Sequence, residues 1–297
     1  MVDGFKIHTV VSEAERTKLE NKFEFIPQVG TVKGSEQNIR LKAKYRETTM
    51  TLVGDKHLTI QGSLHKSFNN GVNYDAFTYT QVVAAIETMT KELCNSAERW
   101  KIQRLEIGVN ITATPISFKS IEQNAIIYKL KPFQEYKMQQ SCFGIYAMQQ
   151  RYCLKIYAKS KQVGLSYEII RFELKIIKSA HIKNTGVQFL SDLLSQKCQE
   201  QLGKLLGKHM SDILFNHHEI MSRCKLTEKE QKLYLQGCNP QYWKQLKSTS
   251  TSSLVTSRLR SFTTLLRKHA GVPLAEVLAS CIASQWQQLL HYENNKN

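Results

Sequence analysis

The stretch IQRLEIGVNI at residues 102–111 alternates apolar and polar residues, and so do YCLKIYAK at 152–159 and IIRFELKII at 169–177. Alternation of this kind is typical of a β-strand that buries one face. If the three strands share a sheet, one face packs on helices, and the other collects two carboxylates, a tyrosine and several cations. The polar positions of the three strands are Arg104, Glu106, Asn110, Lys155, Tyr157, Lys159, Arg171, Glu173 and Lys175.

Further β-like segments lie towards the N-terminus. Residues 5–11 (FKIHTVV) alternate well enough to predict a first strand, and several short β-like runs fall within residues 38–61. Residues 62–71 (GSLHKSFNNG) are typical of a loop, and the Asn-Gly pair at its end predicts a turn. The spacing of apolar residues over 80–94 predicts the first helix.

The last part of the chain has a helical pattern. Leucines recur at helical spacing over residues 187–215, and two more helices are predicted at 254–269 and 274–291. Along the chain, the predicted strands and one helix come first, and only helices follow. This order predicts an α+β fold with an antiparallel sheet. We expect a catalytic-type domain over residues 1–220 and an all-helical C-terminal region over 221–297.

The charge of the chain is strongly positive. Its 297 residues include 41 Lys and Arg against 25 Asp and Glu, a net charge of +16. Residues 151–208 and 241–297 carry most of that excess. A surplus of this size predicts a polyanionic partner, most often nucleic acid.

Several classes of protein are disfavoured by simple absences in the sequence. No apolar run reaches the roughly 18 residues of a membrane span, and the first residues lack the pattern of a secretory signal, so we expect a cytoplasmic protein without a membrane partner. The seven cysteines include no CxxC pair, which favours reduced thiols over disulfides or a zinc ribbon. The phosphate-binding glycine motifs and HExxH are also absent.

The polar face of the three strands has the residue types of a phosphodiester-cleaving site. Glu106 and Glu173 offer hard oxygen ligands for Mg²⁺ or Mn²⁺, and His57 or His65 is a candidate third ligand. The hydroxyl of Tyr157 is a candidate nucleophile toward a metal-polarised phosphodiester. An ordinary solvated sheet face with cross-strand charge pairs has the same composition, and the pattern alone does not choose between the two.

The order and spacing of the three strand motifs resemble the gene II/X family of phage and plasmid replication proteins, which includes the filamentous-phage replication initiator. The opening MVDGFKI and the stretch LTIQGSLHKSFNNGVNYDAFT are similar to the family as well. The resemblance covers roughly residues 1–215. It implies an antiparallel-sheet nickase of the HUH/Rep-like type that starts rolling-circle replication at a DNA origin.

The resemblance also implies roles for individual residues. The family's nucleophilic tyrosine falls on Tyr157 and its companion lysine on Lys159. Its acidic residue falls on Glu106, and its Arg-x-Glu pair falls on Arg171 and Glu173. The implied reaction leaves a 5′-phosphotyrosine link and a free 3′-OH for a host polymerase, with a host helicase as a further partner. Mg²⁺ or Mn²⁺ polarises the phosphate, while Lys159 and Arg171 stabilise its charge.

The sequence departs from the family pattern at two points. Many relatives have Asp directly after the motif tyrosine, where this chain has Ala158, so no ligand or base is expected there. The paired-His metal motif of other rolling-circle initiators is absent, which leaves carboxylates as the main ligands. Tyr152 lies five residues before Tyr157, on the opposite face of the strand, so a two-tyrosine relay is not favoured.

The C-terminal helices offer a second surface for DNA. Their apolar stripes predict a helical hairpin joined at Gly271–Pro273, with Arg260, Arg267 and Lys268 facing outward. These cations either contact duplex phosphates or form an ordinary solvated helix face. On the sheet, Lys155 and Lys175 are further candidates for DNA binding. Two alternatives stay open: a non-catalytic DNA-binding replication regulator, and a conjugative mobilisation relaxase with the same chemistry.

Overall fold

The computed structural model describes residues 1–29, 39–112, 116–138 and 141–292. Within these ranges the strands are β1 (Val2–Val10), β2 (Ile26–Val29), β3 (Ile39–Tyr45), β4 (Thr48–Val53), β5 (His57–Ser63), β6 (Lys101–Ile111), β7 (Ala125–Tyr128), β8 (Lys131–Pro132), β9 (Gln134–Met138), β10 (Ser141–Met148), β11 (Tyr152–Ala158), β12 (Ile170–Ile176) and β13 (Ile213–Phe215). The α-helices are α1 (Glu13–Lys22), α2 (Leu64–Phe68), α3 (Tyr79–Glu92), α4 (Phe118–Asn124), α5 (Lys159–Val163), α6 (Gln196–Ser211), α7 (Glu219–Arg223), α8 (Glu228–Gly237), α9 (Pro240–Thr249), α10 (Ser252–Ala270) and α11 (Leu274–Leu290). The fold is α+β.

Ten of these strands form one antiparallel sheet. Their order is β2-β3-β4-β5-β1-β6-β12-β11-β10-β9, and a smaller sheet has the order β13-β7-β8. The three strands predicted from strict alternation are therefore neighbours, β6-β12-β11, near the middle of the large sheet. The predictions of strands at 102–111, 152–159 and 169–177 are confirmed to within a residue or two at each end.

One face of the large sheet packs on three helices. The apolar residues of β6, β11 and β12 form a continuous core with α3, α6 and α11. Trp286 of α11 is buried against α6, where its indole N–H donates to the carbonyl of Gln199 at 3.0 Å. A glycine is needed beneath that ring, because a Cβ at Gly203 would lie 2.5 Å from it.

A second hydrophobic core lies under the C-terminal helices. Trp243 of α9 and Phe262 of α10 are fully buried there, together with Tyr234 of α8 and Ile127 of β7. The predicted hairpin of α10 and α11 is wrong, because α10 packs into this second core whereas α11 packs into the main core. The second core joins α8, α9 and α10 to β7. The division into residues 1–220 and 221–297 stays a prediction.

Two smaller predictions meet different outcomes. The loop predicted over 62–71 contains a short helix, α2, which begins after Ser63 because that hydroxyl accepts a hydrogen bond from the backbone of Lys66. The turn predicted at Asn70–Gly71 is confirmed, since both residues have positive φ. Among the described helices, none is long and apolar enough to cross a membrane.

Candidate active site

The register of β6, β12 and β11 brings the predicted polar residues onto one face. Arg171 pairs with both Tyr157 and Asn110, and Glu173 pairs with Lys155. One step further along β12, Lys175 pairs with Glu106. The shared face predicted from the period-two alternation is therefore confirmed.

Glu173 is the centre of this face. Its Oε2 accepts hydrogen bonds from the Tyr157 hydroxyl and from Nε of Arg171, both at 3.0 Å, and its Oε1 accepts from Nζ of Lys155 at 2.7 Å. The residue is 2% exposed. Burial alone would raise the pKa of the Glu173 carboxyl, but Lys155 and Arg171 outweigh it and hold that pKa below its ordinary value. Glu173 is therefore an ionised carboxylate in contact with a tyrosine hydroxyl.

Tyr157 is held tightly in this position. Burial and the Glu173 carboxylate raise the pKa of its hydroxyl well above 10, so the phenol is protonated in the resting protein. Its ring contacts Tyr136 and Phe143 edge-on, with centroid distances of 5.6 and 5.9 Å. Gly144 lies opposite on β10, where a Cβ would come within 2.4 Å of the Tyr157 Cβ. The absence of that Cβ gives the tyrosine room to sit against its neighbours.

Arg171 lies beside Glu173 and is 3% exposed. Its guanidinium donates to Glu173, to Oδ1 of Asn110 at 3.0 Å and to Oδ2 of Asp3 at 2.9 Å. The predicted direct contact with a phosphate is not favoured by this burial, because three side chains already accept its hydrogen bonds. Its position is that of a residue that orients Glu173.

Asp3 belongs to this site, although no functional role was predicted for it. One carboxylate oxygen accepts from Arg171 and from the amide of Asn73, and the other accepts from the Ser63 hydroxyl. Simple alternation along β1 puts Asp3 on the same face as the buried Phe5. A register shift between Val2 and Phe5 in the pairing with β6 breaks that alternation. The only indication in the sequence that Asp3 belongs to the site was the similarity of the opening MVDGFKI to the gene II/X family.

Lys159 is the first residue of α5 and lies beside this network. Its ammonium group donates to Oδ1 of Asn73 and Oε1 of Gln162, both at 2.7 Å. Burial and the nearby Arg171 lower the pKa of Lys159 to about 8. Both hydrogen-bond partners are neutral amides, so the charge of this lysine remains available to an anion.

Glu106 makes a separate ion pair at the edge of the site. Its Oε1 lies 2.5 Å from Nζ of Lys175, with side chains that are 23% and 38% exposed. The Gly4 backbone lies against this carboxylate, since a Cβ at Gly4 would come within 2.7 Å of the Glu106 carboxyl carbon.

The arrangement of these carboxylates does not fit a divalent cation as it stands. Each of Glu106, Glu173 and Asp3 already pairs with a lysine or arginine. His57 contacts His8, and His65 contacts Asp75, so neither joins the predicted pair of glutamates. In the part of the chain that the structure describes, no three His, Cys, Asp or Glu side chains form a candidate metal site.

The site opens into a cleft of about 700 Å³ on the polar face of the sheet. Basic side chains outnumber acidic ones along its walls, which suits an anionic ligand. The charged residues that line the cleft are Lys6, Lys66, Arg104, Lys155, Lys159, Lys175, Asp3, Glu47, Glu106 and Glu173.

The three predicted DNA-binding residues of α10 lie on its exposed side. Arg267 pairs with Glu276 at 3.0 Å, and Lys268 pairs with Glu230 at 2.7 Å. Arg260 is exposed as well. All three residues lie on one helix, and the contact with DNA predicted for them stays a prediction.

Comparison with known proteins gives similarities among solved structures. No protein-family model matches the chain, and no curated protein matches it. The chain is similar to a solved structure, that of a rolling circle replication initiator protein from Geobacillus stearothermophilus. The two share 14% sequence identity and a TM-score of 0.46, over 78% of this chain and 89% of that one. A TM-score of this size does not establish a common fold, so the functional assignment depends on the site itself.

Proposed function

We propose that the protein initiates rolling-circle replication by nicking and rejoining one DNA strand through a covalent bond to Tyr157. The observation that carries the proposal is the Tyr157 hydroxyl hydrogen-bonded to the Glu173 carboxylate in a basic cleft. A nucleophile, a base in contact with it and cations for a phosphate are the parts that phosphodiester transesterification needs.

In the forward step, the Tyr157 oxygen attacks the scissile phosphorus while its proton passes to Oε2 of Glu173, 3.0 Å away. The bond from phosphorus to the 3′-oxygen breaks, and that oxygen takes a proton from solvent. The products are a 5′-phosphotyrosine link and a free 3′-OH. Rejoining is the reverse: the 3′-OH attacks the phosphotyrosine, and Glu173 returns its proton to Tyr157.

The high pKa of Tyr157 makes the contact with Glu173 essential to this mechanism. A phenol whose pKa lies well above 10 is not ionised at neutral pH, so its proton must leave as the new bond forms. Arg171 acts as a positioning residue, since it holds the Glu173 oxygen that receives the proton. Lys155 and Lys159 line the cleft and supply positive charge to the non-bridging phosphate oxygens.

The remaining parts of the proposal concern the DNA and the cell. Lys175 lines the same cleft and contacts the strand, while Arg260, Arg267 and Lys268 contact duplex phosphates beside the nick. The free 3′-OH is extended by a host polymerase, a host helicase opens the duplex, and the protein works in the bacterial cytoplasm. The Mg²⁺ or Mn²⁺ implied by the family resemblance stays a prediction, because its carboxylate ligands would first have to leave their lysine partners.

A non-catalytic DNA-binding regulator is the second candidate. The observation that favours it is the closed set of ion pairs around Glu173, which is also what a structural network on a sheet face requires. A mobilisation relaxase would use the chemistry of the first proposal in another biological setting.

The experiment that separates these functions is a search for the covalent intermediate. The full chain is incubated with Mg²⁺ or Mn²⁺ and a labelled library of single-stranded DNA, and an SDS-resistant adduct is sought. We expect an adduct with the wild-type chain, none with Tyr157→Phe and an undiminished one with Tyr152→Phe, the matched control on the opposite face. DNA binding without an adduct supports the regulator, and an adduct that maps to Tyr136 overturns the choice of nucleophile.

A further inference from the structure

A second cavity, of about 270 Å³, lies at the end of the sheet where β6 ends and β12 begins. Tyr74 lines both this cavity and the cleft that contains Tyr157. Arg171 also lines it, and this guanidinium is separated from the Tyr157 hydroxyl only by one oxygen of Glu173. The cavity and the cleft are therefore neighbours, with Tyr74 in the wall of both.

The walls of the cavity suit a flat, apolar ring. Val109, Ile169 and Leu289 are buried and contribute aliphatic surface. Tyr167 lies at the opening with 53% of its surface exposed. An exposed tyrosine beside an aliphatic wall is the kind of surface on which nucleobases of single strands stack.

One polar group of the cavity, the Asp75 carboxylate, disfavours a phosphate and favours a hydrogen-bond donor. Asp75 accepts hydrogen bonds from His65 at 2.8 Å and from Asn69 at 2.9 Å, yet 46% of its side chain remains exposed. Burial lowers the pKa of His65 to about 4, so this histidine is neutral at pH 7 and brings no positive charge to the Asp75 carboxylate. Such a carboxylate repels a phosphate and accepts a hydrogen bond from an amino group.

Gln285 of α11 lines the cavity as well and brings both a donor and an acceptor. In base recognition, a glutamine amide pairs with adenine, and a carboxylate accepts from the amino group of cytosine. Thymine carries no exocyclic amino group.

We propose that this cavity binds the nucleobase next to the scissile phosphate and selects a base with an exocyclic amino group over thymine. The inference rests on the proposed function and extends it to the choice of cleavage site. In this view the basic cleft holds the backbone, and the second cavity supplies the discrimination between bases.

The test measures binding rather than cleavage. The full chain carrying Tyr157→Phe is titrated at fixed salt with short fluorescent single strands. Every nucleotide in them is thymidine except the central one, which carries thymine, adenine or cytosine, or has no base. We expect the adenine and cytosine oligonucleotides to bind about tenfold more tightly than the thymine and abasic ones. Equal affinities for all four overturn the proposal.

Variants of the cavity locate the discrimination. Tyr167→Ala and Gln285→Ala should each remove most of the preference while leaving the affinity for the abasic oligonucleotide within about twofold. Gln288 is exposed on the same helix and lies outside the cavity, so Gln288→Ala is the matched control and should keep the base preference. A preference that survives both cavity variants places base recognition elsewhere and overturns the proposal.

The outcome is distinguishable from that of the proposed function. An adduct formed by the wild-type chain without any base preference overturns the cavity assignment alone. A base preference without an adduct overturns the nickase alone, and a failure to bind any single-stranded DNA overturns both.

Discussion

At the residue scale, Glu173 and Glu106 are similar in sequence context but differ in their surroundings. Glu173 is buried against the Tyr157 hydroxyl, whereas Glu106 forms a half-exposed pair with Lys175. We expect Glu173→Gln to slow adduct formation at least about 100-fold, because a general base is lost. Glu106→Gln should slow adduct formation less than about tenfold, because Glu106 does not contact Tyr157 and its partly exposed ion pair contributes about 0–1 kcal/mol. Initial rates of adduct formation in Mg²⁺ measure both.

The same pair of variants tests the divalent ion that the family resemblance implies. A metal held by both glutamates would require each of them, so equal and large losses would support that ion and contradict the assignment of Glu173 alone as the base. Thermal unfolding of each variant serves as the control, because Glu173→Gln also leaves Arg171 and Lys155 with one fewer partner.

Asp3 provides a second residue-level prediction, on stability. Asp3→Asn removes one of the two carboxylates that neutralise the buried Arg171. We expect it to lower the free energy of unfolding by about 3 kcal/mol or more, as breaking buried ion pairs does. Asp55→Asn is the control, because Asp55 pairs with Arg16 on the surface and is almost fully exposed; its effect should stay within about 0.5 kcal/mol. Similar unfolding midpoints in urea for the two variants would contradict this account.

The sequence was sufficient to predict which residues of β6, β11 and β12 share a face, because side chains alternate with a strict period of two. It was insufficient for Asp3, because a register shift in β1 moves that residue to the other side. The burial of Arg171 could not be predicted from the sequence either. Arg171 occupies a polar position of an alternating strand, which predicts an exposed side chain, yet Asp3 and Asn110 accept hydrogen bonds from it and cover it.

At the element scale, the contact between α6 and α11 depends on a glycine. Gly203→Ala places a Cβ 2.5 Å from the Trp286 ring, and we expect it to lower the free energy of unfolding by about 1–3 kcal/mol through overpacking. Gly207, one turn along the same helix, has nothing within 4 Å of its would-be Cβ. Gly207→Ala should therefore raise stability by up to about 1 kcal/mol through helix propensity. Destabilisation of equal size in both variants would show that helix geometry, and not the Trp286 contact, requires glycine.

The C-terminal helices also show why it was harder to predict what a helix packs against than to predict the helix itself. The apolar stripes of α10 and α11 were visible in the sequence, and both helices exist. A stripe specifies a buried face but not the surface that buries it. The chain turns at Gly271, with φ of 69°, and sends the two helices into different cores.

At the scale of the whole molecule, a buried histidine makes stability depend on pH. Burial, with Lys129 and His181 nearby, lowers the pKa of His209 to about 3, whereas the unfolded value is about 6.5. The folded chain therefore keeps this group neutral while the unfolded chain binds a proton, and stability is lost as pH falls below about 6.5.

We expect His209 to account for up to about 2 kcal/mol of the stability lost between about pH 7 and pH 5. His209→Gln should show a correspondingly smaller loss in urea unfolding at the two pH values. The other histidines with lowered pKa values are present in both proteins, so the difference in stability loss between wild type and variant reports on His209 alone. These histidines are His8, His65, His181 and His217. Parallel losses in the two proteins would contradict the buried, neutral state.

Duplex binding by α10 is a further property of the whole molecule. Arg267 and Lys268 pair with Glu276 and Glu230 on the surface, and such pairs contribute at most about 1 kcal/mol, so duplex phosphates can replace the carboxylates. Each phosphate contact on B-DNA contributes about 0.9 to the log–log slope of affinity against salt. Changing Arg260, Arg267 and Lys268 together to Ala should therefore flatten that slope by up to about three units.

Anisotropy titrations of a fluorescent duplex over a series of salt concentrations give this slope. Adduct formation on a short single-stranded oligonucleotide should stay within about twofold of wild type, because α10 packs into a different core from the strands that carry Tyr157. Glu230→Gln with Glu276→Gln is the complementary variant: it frees two of the cations and should strengthen duplex binding at low salt. An unchanged slope in the triple variant, together with unchanged binding in the glutamine pair, would leave these cations as ordinary solvated charges and confine DNA contact to the sheet.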